Sequence, residues 1–371
     1  MNRWAIAIDP DIRRASTLPG HVYTDPEWFA RQVERVLARS WHIVADESEV
    51  DAPGSVLPLT LLRGVLDEPL LVTRDPAGSL HCLSNVCTHR ANRVVAEPGV
   101  CTGLRCRYHG RRFGLDGRFH SMPEFEDALD FPSPADDLPC LGLGRFAGLL
   151  ATALAPAMPF DALIAPVAER LGGWFPLDRL APDPKAAQDY EVAAPWALYC
   201  DNYLEGFHIP YVHPGLAGAV DYPSYRTETF AWGSLQIAEA ATGEAAFEAP
   251  SAAPSPGHPE HGRRIAAYYF WLFPTTMLNF YPWGLSLNVV EPRGPARTRV
   301  LFRTYVCDAA ARGRGAGAGL ERVEAEDEAV VEQVALGVRS RLYRRGRYSP
   351  AREIGVHHFH RLLARMLAED A

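Results

Sequence analysis

No long apolar run exists in the 371 residues. The N-terminus offers only Trp4 to Ile8 before Asp9 and Pro10 end the stretch, too little for a signal peptide, so the expected location is cytoplasmic. The stretch from Phe146 to Phe160 holds Pro156 and Pro159 and falls short of the ~20 residues a spanning helix needs. No membrane partner is expected. Positive charge is also scarce: 37 Lys and Arg against 45 Asp and Glu leave a net charge of -8, which argues against nucleic acid or an anionic membrane. A disulfide framework is missing too, since seven cysteines form an odd set without a secretory signal and point instead to metal ligation. No G-x-G-x-x-G follows a strand; G-R-G-A-G-A-G at 313–319 has the wrong spacing for a nicotinamide or flavin site. No internal repeat is visible.

What is present is an ordinary globular composition, 47% hydrophobic and 22% charged, in a chain longer than the ~250 to 300 residues one core usually serves. Two domains are expected. Residues 25–40 place Trp28, Phe29, Val33, Val36 and Leu37 at helical spacing behind the cap Asp25 and Pro26. From Trp41 to Leu154 short apolar runs between Asp-Pro, Pro-Gly and Asp-Gly turns read as a small all-β domain. Residues 196–213 read as a helix that fails near Pro210, 264–307 as alternating strands, and 320–339 and 353–368 as helices. Segments 240–262 and 309–319 read as loops.

Two constellations carry chemistry. Cys87 and His89 form a C-x-H pair, and after sixteen intervening residues Cys106 and His109 form a C-x-x-H pair. Two thiolates can hold one iron of a 2Fe-2S cluster while two imidazoles hold the other, although tetrahedral zinc accepts the same ligand types. The remaining cysteines, Cys82, Cys101, Cys140, Cys200 and Cys307, read as buried small hydrophobes. In D-N-Y-L-E-G-F-H-I-P-Y-V-H, Asn202, Glu205 and His208 follow at intervals of three, which on a helix puts them on one face. A bend at Pro210 can bring His213 back towards His208. Two histidines then need one carboxylate to complete the facial triad of a non-haem iron(II) oxygenase. Glu321, Glu324, Glu326, Asp327 and Glu328 are all candidates, and an acidic helix start is commonly just a solvated end. His357, His358 and His360 read as part of a helix packed on the second domain, with no metal assigned.

C-T-H-R with C-R-Y-H-G resembles the Rieske motif, and N-x-x-E-x-x-H-x-x-x-x-H resembles the iron-binding stretch of Rieske-type ring-hydroxylating oxygenase α-subunits. D-N-Y-L-E-G-F-H-I-P with the later Y-Y-F-W-L-F-P-T-T-M-L-N-F-Y-P (268–282) is most similar to the choline, betaine and carnitine monooxygenase branch. The resemblance runs over roughly residues 20 to 370. It implies an α+β fold: a small all-β Rieske domain (41–155) inserted into a helix-grip, START-like antiparallel β-sheet catalytic domain (156–371), with residues 1–40 supplying an N-terminal helix that packs on the latter. It implies a 2Fe-2S cluster on Cys87, His89, Cys106 and His109, and a mononuclear Fe(II) on His208, His213 and Asp327. Glu205 becomes the carboxylate that bridges the two metal centres of neighbouring subunits in a homotrimer, with Asn202 beside it; many relatives carry Asp at the Glu205 position. Electrons come from NAD(P)H through a separate flavin and iron-sulfur reductase or ferredoxin, for which Arg105, Arg107, Arg111 and Arg112 offer a basic docking rim. Relatives often carry Trp where this chain has Arg111.

The implied reaction uses O2 to hydroxylate or N-demethylate a small substrate. A quaternary ammonium compound is favoured, since Tyr268, Tyr269, Phe270, Trp271, Phe273, Tyr281 and Trp283 could supply an aromatic cage, of which two or three at most face the iron. The alternatives are an aromatic-ring hydroxylating dioxygenase and, from another class, a non-catalytic Rieske electron carrier or ligand-binding protein.

Overall fold

The computed structural model describes residues 3–247 and 257–369, so the middle of the expected 240–262 loop lies outside the described residues. The chain divides into two compact units, Ala38–Ala157 inserted between Met1–Leu37 and Met158–Ala371. Among the described residues no helix is long and apolar enough to cross a membrane.

The chain enters through α1 (Gly20–Thr24) and α2 (Pro26–Arg35). Asp25 caps α2 by accepting from the Glu27 amide, and Pro26 at the first turn loses nothing because that amide has no helical partner. The helix stops at Arg35, short of the expected residue 40, and a single 3-10 turn at Leu37–Arg39 follows. Gln32, buried on α2, donates to the Val22 carbonyl and accepts from the Trp196 indole, fastening the front of the chain to the later unit.

The inserted unit is all β. Strands β1 (His42–Asp46), β2 (Ser55–Leu61), β3 (Glu68–Arg74), β4 (Leu80–Ser84), β5 (Gly99–Val100), β6 (Leu104–Arg105), β7 (Arg112–Phe113), β8 (Phe119–Ser121), β9 (Cys140–Leu141), β10 (Leu143–Phe146) and β11 (Leu149–Thr152) follow in order. They form three antiparallel sheets, β1-β11-β10, β5-β2-β3-β4-β9 and β6-β7-β8. Leu71, Leu83, Leu104, Phe113 and Leu115 pack with Cys87 and Cys106 in one core, each such buried side chain stabilising by roughly 1.5–3 kcal/mol. Of the spare cysteines expected to be buried only Cys82 and Cys200 are; Cys101 and Cys307 are half-buried, and Cys140 sits exposed on the short edge strand β9.

The later unit opens with α3 (Phe160–Leu171), β12 (Ala181–Pro182) and β13 (Gln188–Val192), then α4 (Trp196–Tyr203), α5 (Ile209–Val212) and α6 (Pro214–Ala219). Strands β14 (Arg226–Phe230), β15 (Gly233–Glu239), β16 (Ile265–Leu272), β17 (Thr276–Tyr281), β18 (Gly284–Gly294) and β19 (Arg297–Val306) build an antiparallel meander. Helices α7 (Leu320–Gly337) and α8 (Ile354–Ala368) close the chain. Strands β16 and β17 are buried on both faces. Tyr268, Phe270 and Phe280 pack with Trp174, Phe175 and Phe247 on one side, while Trp271 meets Phe359 of α8 on the other.

The expected helix over 196–213 is not continuous. It ends at Tyr203 rather than near Pro210, so Asn202 is helical while Glu205 and His208 are not. The cause is local: Gly206 lies where an added Cβ would stand 2.6 Å from the Tyr225 ring, and the Glu205 carboxylate accepts from the amides of Phe207 and His208. A side chain that satisfies these amides offers the backbone an alternative to the helical ladder.

Candidate metal centres

In the inserted unit the Cys87–Ala91 turn presents Cys87 and His89, and the Cys106–Gly110 turn presents Cys106 and His109. Gly110 takes φ +79°, which closes its turn at no steric cost. The two imidazoles meet with their Nδ1 atoms 3.2 Å apart, and Cys87 and Cys106 are both buried. Burial works against a Cys106 thiolate, but the Tyr108 and His109 amides, Cys87 and Asn92 outweigh it and hold the thiol below its ordinary pKa. Nδ2 of Asn92 lies 3.5 Å from the Cys106 sulfur. Sulfurs on one side, ring nitrogens converging on the other and amides aimed at sulfur suit a cluster with differentiated irons better than a closed tetrahedral ion.

Arg111 does not join the expected basic rim. It is 2% exposed, paired with Asp136, with its guanidinium 4.9 Å from the Phe119 ring centre and 5.5 Å from that of Phe131. Its flat guanidinium packs among these rings as a buried cation rather than a surface charge. Arg105, Arg107 and Arg112 remain exposed.

In the later unit His208, His213 and Asp327 each turn one ligand atom to a common point, all within 4.8 Å of one another. Both Nε2 atoms face Asp327 Oδ1, at 3.5 Å from His208 and 3.0 Å from His213. Both Nδ1 atoms are held from behind: His208 by Glu205 Oε1 at 2.7 Å, His213 by Glu326 Oε2 at 2.8 Å. Each carboxylate selects the tautomer that leaves Nε2 with a free lone pair. Nδ2 of Asn202 donates to Asp327 Oδ1 at 2.6 Å. Burial opposes a charged His213, yet Asp327 and Glu326 outweigh it and raise its pKa, as expected where negative charge is waiting for a cation.

The rival carboxylates of α7 separate by role. Glu321 accepts from Gln188 at the surface, Glu326 holds His213, and Glu328 lies partly buried with Oε1 unpartnered among the described residues. Glu324 is 5% exposed and accepts from the Tyr199 hydroxyl; burial, with Asp327 and Glu328 nearby, pushes its pKa well up. The late histidines serve packing: His357 reaches the Asp9 carbonyl, His358 the Phe230 carbonyl, and His360 bridges Asp201 and Tyr348.

A cavity of about 100 Å³ opens against His208, His213 and Asp327. Antiparallel register explains one wall: Gln236 pairs with Tyr269, Tyr269 with Asn279 and Asn279 with Ser286, so four neighbouring strands place these residues in one transverse row. Tyr203, Tyr225 and Tyr281 complete an aromatic enclosure. Of the seven aromatics expected as a cage only Tyr269 and Tyr281 line the cavity; the other five belong to the core, with Trp283 stacked behind Tyr281. Gly317 permits that stack, because a Cβ there would stand 2.3 Å from the Trp283 indole nitrogen. The glycine-spaced loop read as chemically silent therefore shapes the cavity, to which Ala316 also contributes.

Residues 177–369 match the ring hydroxylating alpha subunit (catalytic domain) family, and residues 40–137 match the Rieske [2Fe-2S] domain. The chain belongs to the Rieske-type ring-hydroxylating oxygenase α-subunits. It is 30% identical to the chloroplastic choline monooxygenase of Arabidopsis thaliana over 96% of this chain and 84% of that protein. It is 28% identical to the carnitine monooxygenase oxygenase subunit of Escherichia coli (strain K12), over 96% of this chain and 95% of that one. The crystal structure of the quaternary ammonium Rieske monooxygenase CntA with an inhibitor shares its fold at a TM-score of 0.77 and 24% identity, covering 98% of this chain and 99% of that chain. This Rieske oxygenase accordingly works with a 2Fe-2S cluster and a mononuclear iron. The α+β architecture, with an all-β insert in an antiparallel-sheet domain, is that of the family.

Proposed function

We propose that this oxygenase hydroxylates or oxidatively N-demethylates a small quaternary ammonium compound, using O2 and electrons passed from NAD(P)H through a separate reductase or ferredoxin. The observation that carries the reading is a cavity walled by Tyr203, Tyr225, Tyr269 and Tyr281 directly against the His208, His213, Asp327 cluster. Aromatic faces attract a methylated ammonium that has no hydrogen to donate. An aromatic-ring substrate has less support, because the wall is rich in hydroxyls, amides and carboxylates rather than uniformly apolar.

Cys87 and Cys106 would hold one iron of the cluster and His89 and His109 the other; His208, His213 and Asp327 would hold the mononuclear iron. When bound, these groups supply one-electron delivery and dioxygen activation. The protein's own part is orientation. Glu205 and Glu326 fix the two imidazoles, and Asn202 steadies the Asp327 oxygen that both rings face. The tyrosine wall holds the cation and keeps water from it. In a homotrimer, Glu205 would connect His208 to the cluster of the neighbouring subunit, and its bond to His208 Nδ1 supports that role.

Oxygen uptake with a surrogate reductase across methylammonium compounds and aromatic acids tests the reading. Uptake coupled to a trimethylammonium compound, with iron at one cluster plus one mononuclear ion per chain, is the expected result. Cluster iron alone would favour an electron carrier, and no iron a binding protein.

A further inference from the structure

Resting on the proposed function, the cavity's polar lining narrows the substrate further. Among the described residues it is lined by three carboxylates, Glu205, Glu324 and Asp327, and by no Arg or Lys. Glu205 is engaged by His208 and Asp327 by Asn202 and His213. Glu324 is different: Oε1 accepts from Tyr199 at 2.6 Å, while Oε2 has no hydrogen-bond partner among the described residues.

A second group is also incompletely used. Asn279 Nδ2 donates to the Ser286 carbonyl at 3.1 Å and to Asn288 Oδ1 at 3.2 Å, which orients the Asn288 amide, and the Ser286 hydroxyl meets the same oxygen at 3.2 Å. Asn288 Nδ2 is left without a protein partner among the described residues, on a side chain 6% exposed that lines the cavity. Neither atom is sealed off: both reach the open space of the cavity, where a ligand can complete what the protein leaves unpaired.

We infer that the cavity selects a monocation whose other end is a neutral hydrogen-bonding group, as in choline, with Glu324 as the counter-charge of the ammonium and Asn288 Nδ2 as donor to the neutral end. A zwitterion such as carnitine or glycine betaine would bring a carboxylate into a space that already holds three and offers no basic side chain. Away from the iron that His208, His213 and Asp327 would hold, its desolvation would go uncompensated. Burial and the neighbouring acids disfavour charge on Glu324, and an arriving ammonium offsets part of that cost.

Calorimetric titration of the iron-loaded oxygenase with choline, L-carnitine and 3,3-dimethyl-1-butanol, the uncharged analogue of choline, tests this. Choline should bind about tenfold or more tighter than either of the others. Glu324→Gln keeps an acceptor for Tyr199 and should weaken choline about tenfold while leaving the uncharged analogue within about twofold. Asn288→Ala should weaken choline and the uncharged analogue alike. Carnitine binding as tightly as choline, or an unchanged choline affinity in Glu324→Gln, would overturn the inference and leave the oxygenase reading standing. Binding of aromatic acids with no methylammonium compound bound would overturn the quaternary ammonium reading itself.

Discussion

Gly206 decides the shape of the iron segment, because the Tyr225 ring fills the space a side chain would need. Gly206→Ala is expected to cost about 1–3 kcal/mol in unfolding experiments and to lower mononuclear iron content, since overpacking here displaces Glu205 and His208 together. Glu326 is the residue that sequence reading placed only among rivals. Its contact with His213 Nδ1 predicts that Glu326→Gln weakens iron binding by roughly 10- to 100-fold in chelator competition, with the cluster absorption intact. Glu205→Gln loses the same kind of contact at His208, so once supplied with excess iron it should carry both metal centres yet stop turnover, whereas His208→Ala or Asp327→Ala should lose only the mononuclear iron; full single-turnover activity in iron-loaded Glu205→Gln would remove the bridging role. At Arg111 the buried pair with Asp136 turns a supposed docking residue into a structural one. Arg111→Glu sets two carboxylates together in that site and is expected to destabilise the inserted unit by about 3–5 kcal/mol, read as loss of cluster absorption on mild heating.

At the level of elements, what could be read from sequence depended on how far apart the interacting residues lie. The Cys and His pairs sit on single turns, so their spacing alone exposed them. The strands of 264–307 and the closing helices were legible because each runs long enough for its period to show. The break after Tyr203 was not, because it depends on Tyr225 meeting Gly206 and on a carboxylate capping two amides, neither of which leaves a periodic trace. Pro210 drew attention to the wrong position: it sits at the start of α5, where a missing amide hydrogen costs little. Cavity residues were missed for a related reason. Gln236, Asn279, Ser286 and Asn288 are polar interruptions in apolar strands, a signal that was present, but strand register was needed to bring them into one row. Asp327 came from resemblance; only the fold separates its role from those of Glu324 and Glu326.

For the whole molecule, the net charge of -8 and three exposed arginines near the Rieske turns set an expectation for electron delivery. Reduction by an acidic donor should slow as ionic strength rises and should slow further in Arg107→Glu, monitored by bleaching of the cluster in stopped flow. A rate indifferent to both would remove Arg105, Arg107 and Arg112 as a docking surface. The insertion of one unit within the other also means that the later unit is assembled from both ends of the chain, with Gln32 and Trp196 joining the two parts.

Strands β16 and β17 are buried on both faces, and the tyrosine-walled cavity is a hole left in that core. Whatever fills the hole is added to the packing that keeps the sheet folded. A compound present at a hundred times its dissociation constant would stabilise the folded form by about 2.7 kcal/mol. Melting temperature therefore becomes a search tool: with a library of small cations, the protein ranks its own preferred guests before any electron donor has been found.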